Sequence, residues 1–239
     1  MSTSDANDRN VVGDGVANVS RSRVKAGPGQ PYPGVMHNPS IAWLVAEATR
    51  SDPHLGDTRL ILIDGPAGSG KTTLAERIGA AVGAQVIHAD DIYEGWNGLE
   101  TMLPMLEDRI IGPLADGLDT SFQPWDWCTS TRGNTIDVPS APWLIIEGVG
   151  AAQRATRPFA ALVIYVEAPW AERLQRGIER DGEALRDEWE RWQVVELIHH
   201  DVQQTRAGSH VSINGTQPVP DQDHAFQAQG LFPGTMNPS

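Results

Sequence analysis

The sequence predicts an α/β fold: a three-layer arrangement in which a five-stranded parallel sheet is flanked by helices. Two observations carry that expectation. Short apolar runs of strand length alternate with helical patterns between Arg59 and Ile213, as parallel strands joined by crossover helices do. The first run leads straight into Asp64–Thr73, D-G-P-A-G-S-G-K-T-T, where Gly65, Gly70, Lys71 and Thr72 satisfy G-x-x-x-x-G-K-[ST]. Strand, glycine loop, helix is the context that gives this pattern its meaning.

In chain order, residues 1–38 are polar, rich in Ser, Asn, Asp, Gly and Pro, and without periodicity. They are expected to form a disordered or loosely packed extension ahead of a domain over 39–216. Ser40–Arg50 reads as a short helix, with Ser40 as N-cap and Ile41, Leu44, Val45 and Ala48 on one face. Arg59–Asp64 is apolar enough for a strand buried on both faces, and a helix follows from about Lys71 to Val82. Gln85–Ala89 is the next strand and ends on Asp90-Asp91-Ile92-Tyr93.

Leu99–Leu118 has apolar residues at three- and four-residue steps, the mark of an amphipathic helix, with Pro104 bending it or delaying its start. Ser121–Val138 contains Trp125-Asp126-Trp127 and a Gly-Asn turn at Gly133-Asn134, which fits a short hairpin or an irregular insertion. Trp143–Glu147 and Ala161–Val166 are buried strands. Pro169 opens a helix to about Arg180, and a long helix covers Glu183–Arg206. Ser209–Ile213 is a last strand, and 217–239 reads as a disordered tail.

Composition narrows the function classes. The chain has 239 residues, of which 40% are hydrophobic, enough for one domain with a real core. A formal net charge of −13 argues against nucleic acid or an anionic membrane as the main partner. A single cysteine, Cys128, fits a reducing cytoplasm, and no apolar run reaches the roughly 20 residues of a membrane span. The expectation is a cytoplasmic protein acting on a small molecule, with homo-oligomerisation left open.

The glycine loop supplies the chemistry. A polyphosphate is wrapped by backbone N–H groups, so its loop needs residues that let the main chain approach. Gly65, Pro66, Ala67, Gly68, Ser69, Gly70, Lys71, Thr72 and Thr73 are therefore the candidate nucleotide site, with ATP as the ligand. Lys71 would set a charge on the β- and γ-phosphates, and the Thr72 hydroxyl would bind Mg²⁺. Asp90, just past a strand end, is the candidate base for an attacking hydroxyl, with a helix cap or solvated acid as the alternative. Glu147 is either an acid near the metal or a loop carboxylate. Arg173, Arg176 and Arg180 share one helix face and form either a lid over the phosphates or an exposed ionic face.

Together these residues resemble the uridine/cytidine kinase branch of the P-loop kinases, the group that includes phosphoribulokinase-like and pantothenate-kinase-like enzymes. The resemblance runs from about Leu60 to Gly215. It rests on the glycine loop, on Asp90-Asp91-Ile92-Tyr93 in place of D-S-F-Y, and on Trp125-Asp126-Trp127…Arg132 in place of Y-D-F…R. Ile146-Glu147-Gly148 and the three arginines complete it. It implies Asp90 as the catalytic aspartate, Glu147 beside the metal, and Tyr93, Trp125, Asp126 and Arg132 at the acceptor. It also implies a lid in which Arg173 and Arg176 serve catalysis and Arg180 serves the nucleotide.

The sequence departs from that branch where a pyrimidine nucleoside would be read. Ser130 stands where the family has a histidine, Trp125 replaces a tyrosine, and Glu94-Gly95-Trp96-Asn97 replaces the acidic segment that grips the ribose. Trp96 and Trp125 suggest a flat or apolar acceptor, with core packing as the competing role. The expected activity is transfer of the γ-phosphate of ATP to a hydroxyl of a small molecule. The alternatives are a non-nucleoside acceptor, pantothenate- or sugar-like, and a nucleotide-binding regulatory protein without turnover.

Overall fold

Leu60, Ile61, Leu62 and Ile63 are all fully buried, so their strand runs through the middle of a sheet covered on both faces. The computed structural model describes residues 38–222, and the expectations for 1–37 and 223–239 lie outside those residues. The chain begins with α1 (Ile41–Arg50), where the Ser40 hydroxyl accepts a hydrogen bond from Trp43 N at 3.0 Å. β1 (Arg59–Asp64) follows, then α2 (Lys71–Val82) and β2 (Gln85–His88).

The helix expected over Leu99–Leu118 is broken. A 3-10 stretch, Gly95–Thr101, leads into α3 (Met102–Leu106), a π-helical turn over Glu107–Ile111, and α4 (Gly112–Ala115). Pro113 has no N–H for the Arg109 carbonyl, which accepts from the Thr120 hydroxyl at 2.6 Å instead. Pro104 sits inside the first turns rather than bending a longer helix.

Two nested antiparallel pairs come next. β3 (Thr120–Phe122) and β4 (Trp125–Asp126) run out, and β5 (Thr131–Arg132) and β6 (Ile136–Val138) return to pair with β4 and β3 respectively. The chain reverses at residues 127–130, not at Gly133-Asn134. The Asp126 carboxylate fixes that reversal by accepting from Cys128 N at 2.8 Å and Thr129 N at 3.1 Å.

β7 (Trp143–Glu147) and β8 (Ala160–Glu167) return to the main sheet, followed by α5 (Trp170–Asp181) and α6 (Arg186–Gln203). β9 (Val211–Asn214) closes the order β2-β7-β1-β8-β9, every neighbour parallel. Leu60 and Leu62 enter one core with Met102, Ile146 and Trp192, while Ile61 and Ile63 enter the other with Leu44, Ile78 and Ile164. Residues 217–222, expected as tail, fold back: Ile41 N and Ala42 N donate to the Pro220 and Asp221 carbonyls at 2.8 and 3.1 Å. No helix among the described residues is long and apolar enough to cross a membrane.

Candidate active site

The parallel register brings the carboxyl ends of the strands level. His88 lies beside Glu147 across β2 and β7, and Ile63 lies beside Glu147 across β1 and β7. Above these ends opens a cleft of about 1170 Å³. One side, formed by the glycine loop and the start of α2, is lined by Ala67, Gly68, Gly70, Lys71, Thr72 and Thr73. Its other side is lined by Asp90, Asp91 and a group of aromatic side chains.

The glycine loop takes its shape from close backbone packing. A Cβ at Gly65 would fall 2.0 Å from the Val166 carbonyl oxygen, and the residue holds φ at +140°. Gly68, at φ +76°, lies against α5, where a Cβ would meet the Arg173 carbonyl oxygen at 2.7 Å. α2 has no side-chain cap, so the first-turn amides, which have no partner within a helix, border the cleft with Lys71. Lys71 is buried and its Nζ donates to the Pro66 carbonyl at 3.0 Å. Gly65, Pro66 and Ser69 support the loop from behind and do not line the cleft.

Three buried groups that were not expected at the site brace the loop. The Asp64 carboxylate is fully buried and accepts from Gly65 N at 2.6 Å, Ala152 N at 2.8 Å and Gly150 N at 3.1 Å. His200 Nε2 lies 3.1 Å from the same carboxylate. Burial alone would raise its pKa. The hydrogen bond and charge of His200, helped by the amides, outweigh that and hold the carboxyl below its ordinary value. Glu196 on α6 accepts from Ala67 N at 2.6 Å and pairs with Arg173. Arg173 also donates to the Ala67 carbonyl at 3.1 Å.

Arg173 is therefore a buried fastener of the loop and not a lid residue, since its guanidinium turns inward to Glu196 and does not line the cleft. Arg176 does line it, and spans the Gly68 carbonyl at 3.0 Å and the Gly215 carbonyl at 3.3 Å. Arg180 also lines it, paired with Asp181 through two hydrogen bonds of 2.8 and 2.9 Å.

Where the sequence leads us to expect a metal, the Thr72 hydroxyl donates to Glu147 Oε1 at 2.9 Å, and His88 Nδ1 lies 2.7 Å from the same oxygen. That hydrogen bond raises the pKa of His88 above its ordinary value despite half-burial. Among the described residues there is no group of three or more His, Cys, Asp or Glu side chains that could hold a metal. Thr72 and Glu147 are hard oxygen donors beside the glycine loop. They fit Mg²⁺, which keeps waters and takes one or two protein ligands beside substrate phosphates.

On the other side, Asp90 accepts from the Tyr93 hydroxyl at 2.5 Å. Burial pushes Tyr93 far up its scale, reinforced by the Asp90 charge. Trp96 lines the cleft as expected, and Trp127, Trp189 and Trp192 join it. Trp125, Asp126 and Arg132 do not line it. Asp126 caps the hairpin turn, and Arg132 stacks over Trp125 with 5.6 Å from guanidinium to ring centroid while donating to Glu94 at 2.9 Å and the Gln123 carbonyl at 3.1 Å. Those three build the hairpin, and the residue the hairpin delivers is Trp127, whose indole N–H donates to the Asp90 carbonyl at 3.0 Å. Glu196, His200, Trp189 and Trp192 were legible as one inward stripe, because they fall at positions 189, 192, 196 and 200 of a single helix. An acid and a histidine on that otherwise apolar stripe were the signal for a buried polar partner.

No family model and no curated protein matches this chain. Among solved structures it is similar to a provisionally named fructose transport system kinase from Silicibacter sp. TM1040. That match has a TM-score of 0.56 and 16% identity, covering 72% of this chain and 97% of that one. A provisionally named uridine kinase from Bacillus stearothermophilus matches at 20% identity and TM-score 0.46, over 65% of this chain and 88% of that one. Shikimate kinase from Acinetobacter baumannii matches at 19% identity and TM-score 0.38, over 70% and 89%. With its five-stranded parallel sheet, flanking helices and glycine loop, the chain has the α/β fold of the P-loop kinases.

Proposed function

We propose that the protein is an ATP- and Mg²⁺-dependent kinase that phosphorylates a hydroxyl of a small molecule. The observation that carries this reading is one continuous cleft with Gly68, Gly70, Lys71, Thr72 and Thr73 on one side and Asp90 on the other. The loop amides and Lys71 bind and orient the triphosphate of the donor substrate. The acceptor oxygen forms a new bond to the γ-phosphorus as the bond from that phosphorus to the bridging oxygen breaks. The nucleoside diphosphate leaves with the electron pair, and the acceptor proton passes to the Asp90 carboxylate and on to water. Tyr93 holds that carboxylate in place through its hydroxyl. Arg176 and Arg180 cover charge on the transferring phosphate from α5. Thr72 and Glu147 would hold magnesium, which neutralises negative charge on the phosphate oxygens.

A uridine- or cytidine-like acceptor is the reading favoured by the sequence resemblance. A non-nucleoside acceptor is favoured by the structure at one point: Trp125, Asp126 and Arg132, which that resemblance assigns to the acceptor, are occupied in holding the hairpin. Purified protein with ATP, Mg²⁺ and a panel of hydroxyl compounds, read by ADP release, tests the kinase reading. Acceptor-dependent ADP release that disappears in Lys71→Ala supports it. ATP binding without release for any acceptor would instead support a regulatory role.

A further inference from the structure

We infer, on the kinase reading above, that the hairpin of β4 and β5 is an arm that positions Asp90, and that Trp127 at its tip is the residue through which it acts. The two sides of the cleft are held in place differently. The glycine loop follows β1, which has β7 and β8 on either side, and Asp64 and Glu196 brace it from buried positions. Asp90 follows β2, a strand of four residues at the edge of the sheet, paired among the described residues with β7 alone. It sits on a single 3-10 turn, Ala89–Asp91, closed by Ile92 N donating to the Ala89 carbonyl at 2.9 Å. A base must be placed to within about 0.5 Å of its working position, and so short a turn at a sheet edge needs outside support to do that.

The hairpin supplies that support. The Trp127 indole N–H donates to the Asp90 carbonyl at 3.0 Å, so it grips the residue by its main chain. The same indole meets Tyr93 edge to face, with centroids 6.2 Å apart at 89°, and the Tyr93 hydroxyl holds the Asp90 carboxylate. One side chain thus bears on both points that fix Asp90. Trp96 packs against the indole at 5.6 Å and 74°, which limits its rotation.

The rest of the hairpin is tied to the same stretch of chain. The Arg132 guanidinium donates to Glu94 Oε1 at 2.9 Å and lies 3.5 Å from the Asp91 carbonyl. At the far end of β2, Gln85 donates to the Asp137 carbonyl of β6 at 3.0 Å. The outer pair therefore meets the start of β2, and the inner pair meets the turn that ends it. Trp127 is 39% exposed, so its N–H contributes little to folding. A misplacement of about 1 Å at a reacting group, by contrast, can cost about a hundredfold in rate. The effect of this contact belongs in turnover.

The test uses full-length Trp127→Phe, which keeps an aromatic ring at the tip and removes the N–H donor. ADP release is followed at saturating ATP and Mg²⁺, with whichever of uridine, pantothenate, fructose and shikimate the wild type turns over fastest. The expected result is a fall in kcat of about tenfold, with KM for ATP and for the acceptor within about threefold and the urea midpoint unchanged. The same change is then made in Asp90→Asn. Because Trp127 acts through Asp90, the double variant is expected to turn over within about twofold of Asp90→Asn alone. Wild-type kcat in Trp127→Phe overturns the inference. So does a loss confined to the acceptor KM, a loss matched by a lower urea midpoint, or the same tenfold loss on the Asp90→Asn background. Each of these leaves the kinase reading standing. Wild-type protein that releases no ADP with any of these acceptors or with the wider panel removes the kinase reading, and the inference falls with it.

Discussion

Asp64 shows how one side chain sets the geometry of the glycine loop. Its carboxylate gathers three backbone amides and His200 in a fully buried position, joining the end of β1 to the segment after β7 and to α6. Asp64→Asn keeps the shape but loses the charge, and is expected to cost about 3 kcal/mol or more of stability, read as the urea midpoint. Because folding lowers this pKa, the stabilisation is present in full above the ordinary value of 3.8 and is lost as pH falls through the lower folded value. The stability gap between wild type and Asp64→Asn should therefore be constant just above pH 3.8 and narrow below it. Glu196 is the second brace. Glu196→Gln leaves the Arg173 guanidinium buried without its counter-charge, with an expected loss of about 3–5 kcal/mol in the same titration.

Among the elements, α6 separates its roles by face. Trp189, Trp192, Glu196 and His200 point inward, whereas Val194, Ile198 and Val202 are half or more exposed along the opposite ridge. Trp192→Ala should cost about 3–5 kcal/mol, and Ile198→Lys should stay within about 0.5 kcal/mol, both measured by chemical unfolding. A large loss in Ile198→Lys would mean that this ridge is covered in solution. The three central strands of the main sheet were readable because β1, β7 and β8 are apolar along nearly their whole length, as a sheet covered on both faces requires. The helix expected over 99–118 was not, because apolar spacing cannot reveal that a proline without an N–H shifts the hydrogen-bond ladder at Pro113. The hairpin turn was misplaced for a related reason. A Gly-Asn pair is a generic turn signal, and the Asp126 carboxylate competes by capping two amides four residues earlier.

At the level of the whole molecule, a parallel sheet lines up strand ends, and this explains which residues lining the cleft the sequence revealed. Lys71, Thr72, Asp90 and Glu147 were legible because each lies at the end of an apolar run or in the glycine loop that follows one. The aromatic side of the cleft was read only in part. Tyr93 and Trp96 line the cleft, but Trp127, Trp189 and Trp192 come from a hairpin and a distant helix that only tertiary packing brings together. Arg173 was misread for the same reason, since a position on a helix face does not say which neighbour packs against it. The measurement that bears most directly on the account is acceptor-dependent ADP release by Asp90→Asn beside wild type, with ATP affinity measured in parallel. Loss of about a hundredfold or more in turnover with ATP affinity within about threefold is the predicted result. Turnover at the wild-type rate in Asp90→Asn would contradict it.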